Sequence, residues 1–182
     1  MNIANKLTLL RIAFIPVFIV FFYINIKYQY HYACLIFILA SITDGIDGSL
    51  ARKHDIVTNF GKLIDPIADK LLVCSALIML MTNPDFGMSA IVVIILIGRE
   101  FIVSGFRLLA ASEGKVVAAS QLGKIKMVVQ IVAICTVLVE DGFFRAWNFP
   151  LGYILMWLSA ALAVISLVHY FVKNKEILKT LF

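Results

Sequence analysis

Charge is scarce in this chain. Only 15% of its 182 residues are Asp, Glu, Lys or Arg, while 62% are hydrophobic. A soluble domain carries about 25% charged and about 45–50% apolar residues. With a mean hydropathy of +0.99, that deficit excludes an ordinary water-soluble core and makes a polytopic membrane protein the first expectation. Cysteine is nearly absent too. Cys34, Cys74 and Cys135 each sit inside an apolar run, far apart in sequence. Zinc-ligand and disulfide-framework spacings are therefore excluded, and the three read as small buried hydrophobes. No small-x-small cleavage site follows the first apolar stretch before Lys27, so that stretch reads as a retained span and not as a signal peptide. Internal repeats and low-complexity tracts are missing. The apolar runs lack the polar–apolar alternation of a membrane barrel. The net charge of +5 does not point to nucleic acid, because the basic residues are dispersed between apolar runs and form no exposed block.

What the chain has is six long apolar runs, near 9–26, 30–51, 66–81, 88–111, 122–139 and 149–172. A helical span needs about 20 such residues. Asn83-Pro84-Asp85, Glu140-Asp141-Gly142 and Pro150 supply breaks between runs. The expected fold is all-α: six transmembrane helices in one domain covering 1–182. Before the first run, Asn5, Thr8 and Arg11 recur every three residues, with Ile3, Leu7 and Leu10 on the other side. That pattern predicts a short amphipathic helix at the interface, or a simple snorkelling anchor. One set of span ends carries eleven Lys and Arg residues, from Lys6 and Arg52 to Lys179, and the other only Lys27 and Arg145. The bias predicts a multi-pass protein of the cell membrane with both termini cytoplasmic. Trp147, Trp157 and the tyrosines from Tyr23 to Tyr32 read as interface-belt residues, and His54 and His169 as interfacial or structural.

Four acids break the apolar pattern. Asp44 and Asp47 lie near the end of the second run, and Asp65 and Asp69 at the start of the third. A charge at the bilayer centre costs at least ~2.5–3.5 kcal/mol, and four neighbouring carboxylates repel one another. Protons, basic side chains such as Arg52, Lys62 and Lys70, or divalent cations must neutralise them. The i,i+3 and i,i+4 spacings put each pair on one helix face, and Gly48, Ala51 and Gly61 allow close approach. Hard oxygen ligands from two facing helices suit Mg2+ or Mn2+, and such pairs of ions clamp phosphoryl displacements. Pro66 predicts a helix start or kink.

The segment Asp44-Gly45-Ile46-Asp47-Gly48-Ser49-Leu50-Ala51-Arg52, eight residues, then Gly61-Lys62-Leu63-Ile64-Asp65-Pro66-Ile67-Ala68-Asp69 resembles the signature of the CDP-alcohol phosphatidyltransferases, DxxDGxxAR with GxxxDxxxD. Every fixed position is present. The resemblance implies that Asp44 and Asp65 bridge two metal ions, that Asp47 holds one and Asp69 the other, and that Asp69 takes the proton of the attacking hydroxyl. It also implies donor contacts to CDP-diacylglycerol from Gly48, Arg52 and Thr58, and, on a shorter match, from Asn5 and Thr8. A homodimer is the assembly it suggests.

The second half should choose the acceptor. Glu100, Ser104 and Arg107 recur on one helix face, and Gly123-Lys124-Ile125-Lys126 opens the fifth run. These stretches resemble the branch of the family that makes phosphatidylglycerophosphate, which implies sn-glycerol 3-phosphate as acceptor. Met127 departs from the small hydroxyl residue expected there. A cluster of Arg107, Lys124 and Lys126, with Ser104, suits a phosphorylated acceptor. For Arg99, an ion pair inside the bundle and a functional role both stay open. The alternatives are transfer to serine, inositol phosphate or another alcohol, and, in a different class, a divalent-cation transporter. Acids confined to two runs and the lack of repeat symmetry weigh against a transporter.

Overall fold

Runs of Leu, Ile, Val, Phe and Ala favour continuous helix; Pro84, Gly87, Gly114 and Pro150 fall between the α-helices, whereas Pro16 is carried inside the first. The computed structural model describes the backbone of residues 3–54, 59–115, 117, 120–139 and 150–181, and the side chains of 9–42, 67–68, 70–115, 117, 120–139 and 150–178. Among the described residues the chain is all-helical: α1 (Ile3–Tyr23), α2 (Gln29–His54), α3 (Asn59–Thr82), a short 3-10 helix (Pro84–Phe86), α4 (Ala90–Ser112), α5 (Gln121–Val139), α6 (Leu151–Lys173) and α7 (Lys175–Leu181).

The ends follow from local chemistry. Asn83 follows α3 and caps the 3-10 helix: its side chain accepts the Asp85 N–H at 3.0 Å and donates to the Tyr30 hydroxyl at 2.7 Å. Gly87 then turns with φ +57°. At the end of α4 the Lys115 N–H reaches the Ala110 carbonyl (2.8 Å) and the Gly114 N–H reaches that of Ala111 (3.0 Å). This is a Schellman closure, and it needs the left-handed φ of +71° that glycine adopts without steric cost at Gly114. Ser120 opens α5 by accepting the Gly123 N–H at 3.1 Å, an N-cap contact.

Two apolar clusters hold the helices together. The larger joins α1–α6 through Phe18, Phe37, Leu72, Leu77, Leu96, Ile134, Leu138 and Met156. Ala33, Ala40, Ala76, Ala133 and Ala163 are fully buried within it, so the helices pack closely on small residues. The smaller cluster, Val103, Phe106, Ala110, Val117 and Tyr170 with Ile177 and Leu178, ties the ends of α4 and α6 to α7. Neighbouring helices pack in the pairs α1–α2, α1–α3, α2–α5, α4–α6 and α5–α6. The outer faces stay apolar: Ile94, Leu108 and Val172 are each 64–70% exposed. Helices α5 and α6 are long and apolar enough to cross a membrane by length and composition, and only a third of each such stretch is buried inside the protein.

Three expectations need correction. The first helix runs unbroken from Ile3 to Tyr23, so no separate amphipathic helix precedes the first apolar run. No Gly or Pro interrupts residues 3–15, and helix propagates cheaply once nucleated. Pro66 does not start a helix: α3 begins seven residues earlier at Asn59, which leaves the kink as the open part of that expectation. Finally, α7 was not anticipated. Four of its seven residues are polar, but Ile177 and Leu178 find an apolar seat against the second cluster, a tertiary contact that so short a segment does not announce.

Candidate functional site

Helix α2 carries Asp44 and Asp47 in its second half, and α3 carries Asp65 and Asp69 in its first half. The two helices pack against each other, and α1 packs against both. On α2, Ala33, Phe37 and Ala40 are fully buried, and positions 44 and 47 continue that stripe in helical register. On α3, Leu72 and Ala76 are buried, and positions 65 and 69 extend their stripe in the other direction. An i,i+3/i+4 stripe marks one helix face. The backbone thus puts the four sequence-identified acids on adjoining helices, in line with buried faces. The side chains of Asp44, Asp47, Asp65, Asp69, Asn5, Thr8, Gly48 and Arg52 lie outside the described residues, as does Thr58 altogether. As a donor set, four carboxylates on two packed helices fit a hard divalent cation.

Arg11 of α1 was read in the sequence as part of an amphipathic surface pattern. It is instead only 1% exposed. The signal for this was available: Arg11, Phe18 and Phe22 stand at i, i+7 and i+11, and both phenylalanines are core residues.

A second polar group joins α4, α5 and α6. The Glu100 carboxylate accepts from Lys126 Nζ at 2.5 Å and from Arg99 Nη1 at 2.9 Å. Arg99 Nε also donates to Ser166 Oγ at 3.3 Å, and Ser166 in turn donates to the Ala163 carbonyl. The Lys126 side chain is 1% exposed and that of Arg99 10%. Two cations share one carboxylate here in a setting of weak screening, where a missing partner is costly. The guanidinium lies over the start of α5. A Cβ on Gly123 would come within 2.9 Å of Arg99 Nη2 and 3.1 Å of Ser120 Oγ, so a larger residue would make the guanidinium shift. Neither Ser166 nor Gly123 was singled out from sequence. The Gly-Lys-x-Lys pattern contained Gly123, but its steric role depends on a partner 24 positions away.

The sequence-assigned acceptor residues divide. Arg107 and Lys124 are exposed, whereas Lys126 turns inward to Glu100. Ser104 is half-buried and donates its hydroxyl to the Glu100 carbonyl one turn back at 2.6 Å. Arg107 and Arg99 both lie within electrostatic reach of the buried Tyr170, whose backbone carbonyl accepts from the Asn174 N–H and Nδ2 and so closes α6.

Comparison with known proteins gives concordant matches. The family model described as CDP-alcohol phosphatidyltransferase matches residues 1–165. A protein of Bacillus subtilis strain 168 is 43% identical over 192 aligned positions, covering 98% of both chains. One from Rickettsia bellii is 43% identical with 96% of both chains covered, and one from Shigella flexneri is 35% identical, covering 93% of this chain and 92% of its own. All three bear the name CDP-diacylglycerol–glycerol-3-phosphate 3-phosphatidyltransferase.

Proposed function

The chain belongs to the CDP-alcohol phosphatidyltransferase family, and on that premise we propose that it transfers the phosphatidyl group of CDP-diacylglycerol to sn-glycerol 3-phosphate, giving phosphatidylglycerophosphate and CMP. It is a phosphatidyltransferase of phospholipid biosynthesis. The observation that carries the reading is similarity over nearly the whole chain to proteins that bear that one name.

The four aspartates would hold two divalent cations, Mg2+ or Mn2+. Bound there, such ions neutralise the pyrophosphate oxygens as charge develops on the leaving CMP. The chain's own residues do the rest. Asp69 accepts the proton of the acceptor hydroxyl, whose oxygen forms the new bond to phosphorus as the bond to CMP breaks. Gly48, Arg52 and Thr58, with Asn5 and Thr8, contact the nucleotide end of the donor. Arg107 and Lys124 face outward and suit the acceptor phosphate, since arginine grips such groups with a two-pronged fork. Ser104 adds a hydroxyl, while Lys126 stays inside the bundle, paired with Glu100.

Helices α1–α6 serve as six membrane spans of one domain, with a homodimer as the assembly. In support, they run 19 to 26 residues. At ~1.5 Å per residue the shortest reaches about 28 Å, close to the ~30 Å hydrocarbon core. The exposed flanks of α4 and α6 are apolar, as lipid contact requires. Both termini and residues 52–62 face the cytoplasm. With the native cysteines replaced, single cysteines at positions 54 and 175 should resist impermeant thiol reagents in intact cells and react after lysis. External labelling of either would overturn the topology.

The substrate assignment is tested with purified protein, CDP-diacylglycerol and a panel of acceptors: glycerol 3-phosphate, serine, inositol phosphate and glycerol. CMP release should require glycerol 3-phosphate, and the lipid product should carry a second phosphate. Replacing Arg107 by Ala should raise the acceptor's KM by about ten- to a hundredfold, the worth of one charge-assisted contact, with far less effect on the donor. An unchanged acceptor KM would move the phosphate pocket to other basic residues.

A further inference from the structure

We infer that Arg11 is the internal counter-ion of the aspartate quartet: it keeps the charged ends of α2 and α3 assembled before metal ions arrive, and Asp44 is the acid it chiefly balances. The inference rests on the metal-dependent reading above.

Arg11 is as fully buried as the core residues Phe18, Phe37 and Leu72, and it is the one arginine among the largest such side chains. A buried guanidinium is retained only where acceptors or negative charge offset its desolvation. The register of α1 against α2 says which charge stands near. The two helices run antiparallel. Phe22 packs on Tyr30 with ring centroids 5.3 Å apart, Phe21 on Tyr32 at 5.8 Å, and Phe18 on Phe37 at 6.2 Å. Each step back along α1 is thus a step forward along α2. Arg11 lies seven residues before Phe18, and position 44 lies seven after Phe37. Seven residues are two helical turns, so both positions stay on the stripes that face each other. Within the bounds of α1, α2 and α3 the acids are Asp44, Asp47, Asp65 and Asp69, and α3 also packs against α1. Arg11 therefore enters the bundle at the level of the acids, from the one helix of the three that bears none.

The consequence is a linkage. Without metal, the quartet carries up to four negative charges, and Arg11 offsets one. With two divalent cations bound, the quartet is neutralised without it. Loss of the guanidinium should then destabilise the metal-free protein more than the metal-bound one.

Thermal unfolding of the full chain in detergent tests this, in chelator and in excess Mg2+ or Mn2+, for wild type, Arg11→Lys and Arg11→Met. Arg11→Met should melt lower in chelator, and metal should recover most of the loss, so that its metal-induced rise exceeds the wild type's by roughly 5 °C. Arg11→Lys, which keeps the charge, should fall between. A merely packing role would lower both melts equally, and that result overturns the proposal. If Arg11→Met does not fold in either condition, Arg11→Met combined with Asp44→Asn decides, because removing charge and counter-charge together should restore folding; failure to do so also overturns it. A wild type with neither a metal-induced shift nor divalent-dependent turnover would instead defeat the metal-dependent reading itself.

Discussion

Replacing Asp69 by Asn is expected to lower the turnover of glycerol 3-phosphate by about two to four orders of magnitude, with the acceptor's KM changed only a few-fold. An alcohol is a poor nucleophile at neutral pH, and positioned proton acceptance is worth about 10²- to 10⁴-fold. The amide keeps the size and most of the hydrogen bonding of the carboxylate but cannot take the proton. Because that contribution arises only as the new bond forms, the loss should appear in kcat and leave acceptor saturation nearly intact. Asn at Asp44, Asp47 or Asp65 should also lower turnover by orders of magnitude, and raised Mg2+ or Mn2+ should recover part of that loss; at Asp69, a ligand and the proton acceptor at once, added metal should leave the proton-transfer part of the loss in place. Steady-state kinetics at several metal concentrations separate the two behaviours. Full activity in excess chelator would remove the acids from metal chemistry altogether.

The largest effect on stability is expected from breaking the Glu100 pairing from the Lys126 side. Lys126 is the more deeply buried partner, with 1% of its side chain exposed against 23% for Glu100. Lys126→Met keeps the volume of the stem but leaves Glu100 with Arg99 as its remaining partner. Removing one member of a buried pair costs about 3–5 kcal/mol, because the other charge is left poorly compensated. Arg99 moderates this, so the lower end, about 3 kcal/mol, is expected. The double variant Glu100→Gln with Lys126→Met should recover a substantial part, since it removes charge and counter-charge together. Denaturant titration of the full chain in detergent micelles, run as a double-mutant cycle, reads the coupling directly. Additive single effects would mean that Lys126 is held by packing and not by Glu100.

This ion-pair network also marks where sequence reasoning ran short. Lys126 sits in a basic Gly-Lys-x-Lys segment, and a linear reading assigns it with Lys124 to the acceptor phosphate. Two positions along a helix are about 200° apart, so the two lysines face opposite ways. Which of them turns inward depended on Glu100, 26 positions earlier in the chain. Arg11 went the other way: a polar three-residue rhythm suggested a surface, while its seven-residue relation to Phe18 put it in the interior.

The sequence by itself determined the class of fold, the four acids and the family, because each is written locally. Apolar runs set the helices, breakers set most of their ends, and a signature of fixed residues over 26 positions carries the acids on two consecutive helices. Only the tertiary structure decided the inward turn of Arg11 and Lys126, the sharing of Glu100 between two cations, the close approach of Arg99 to Gly123, and the seat of α7. Those features depend on which helix faces which and at what register. A helical period fixes the faces of one helix, but the partner of each face is chosen by packing among all of them.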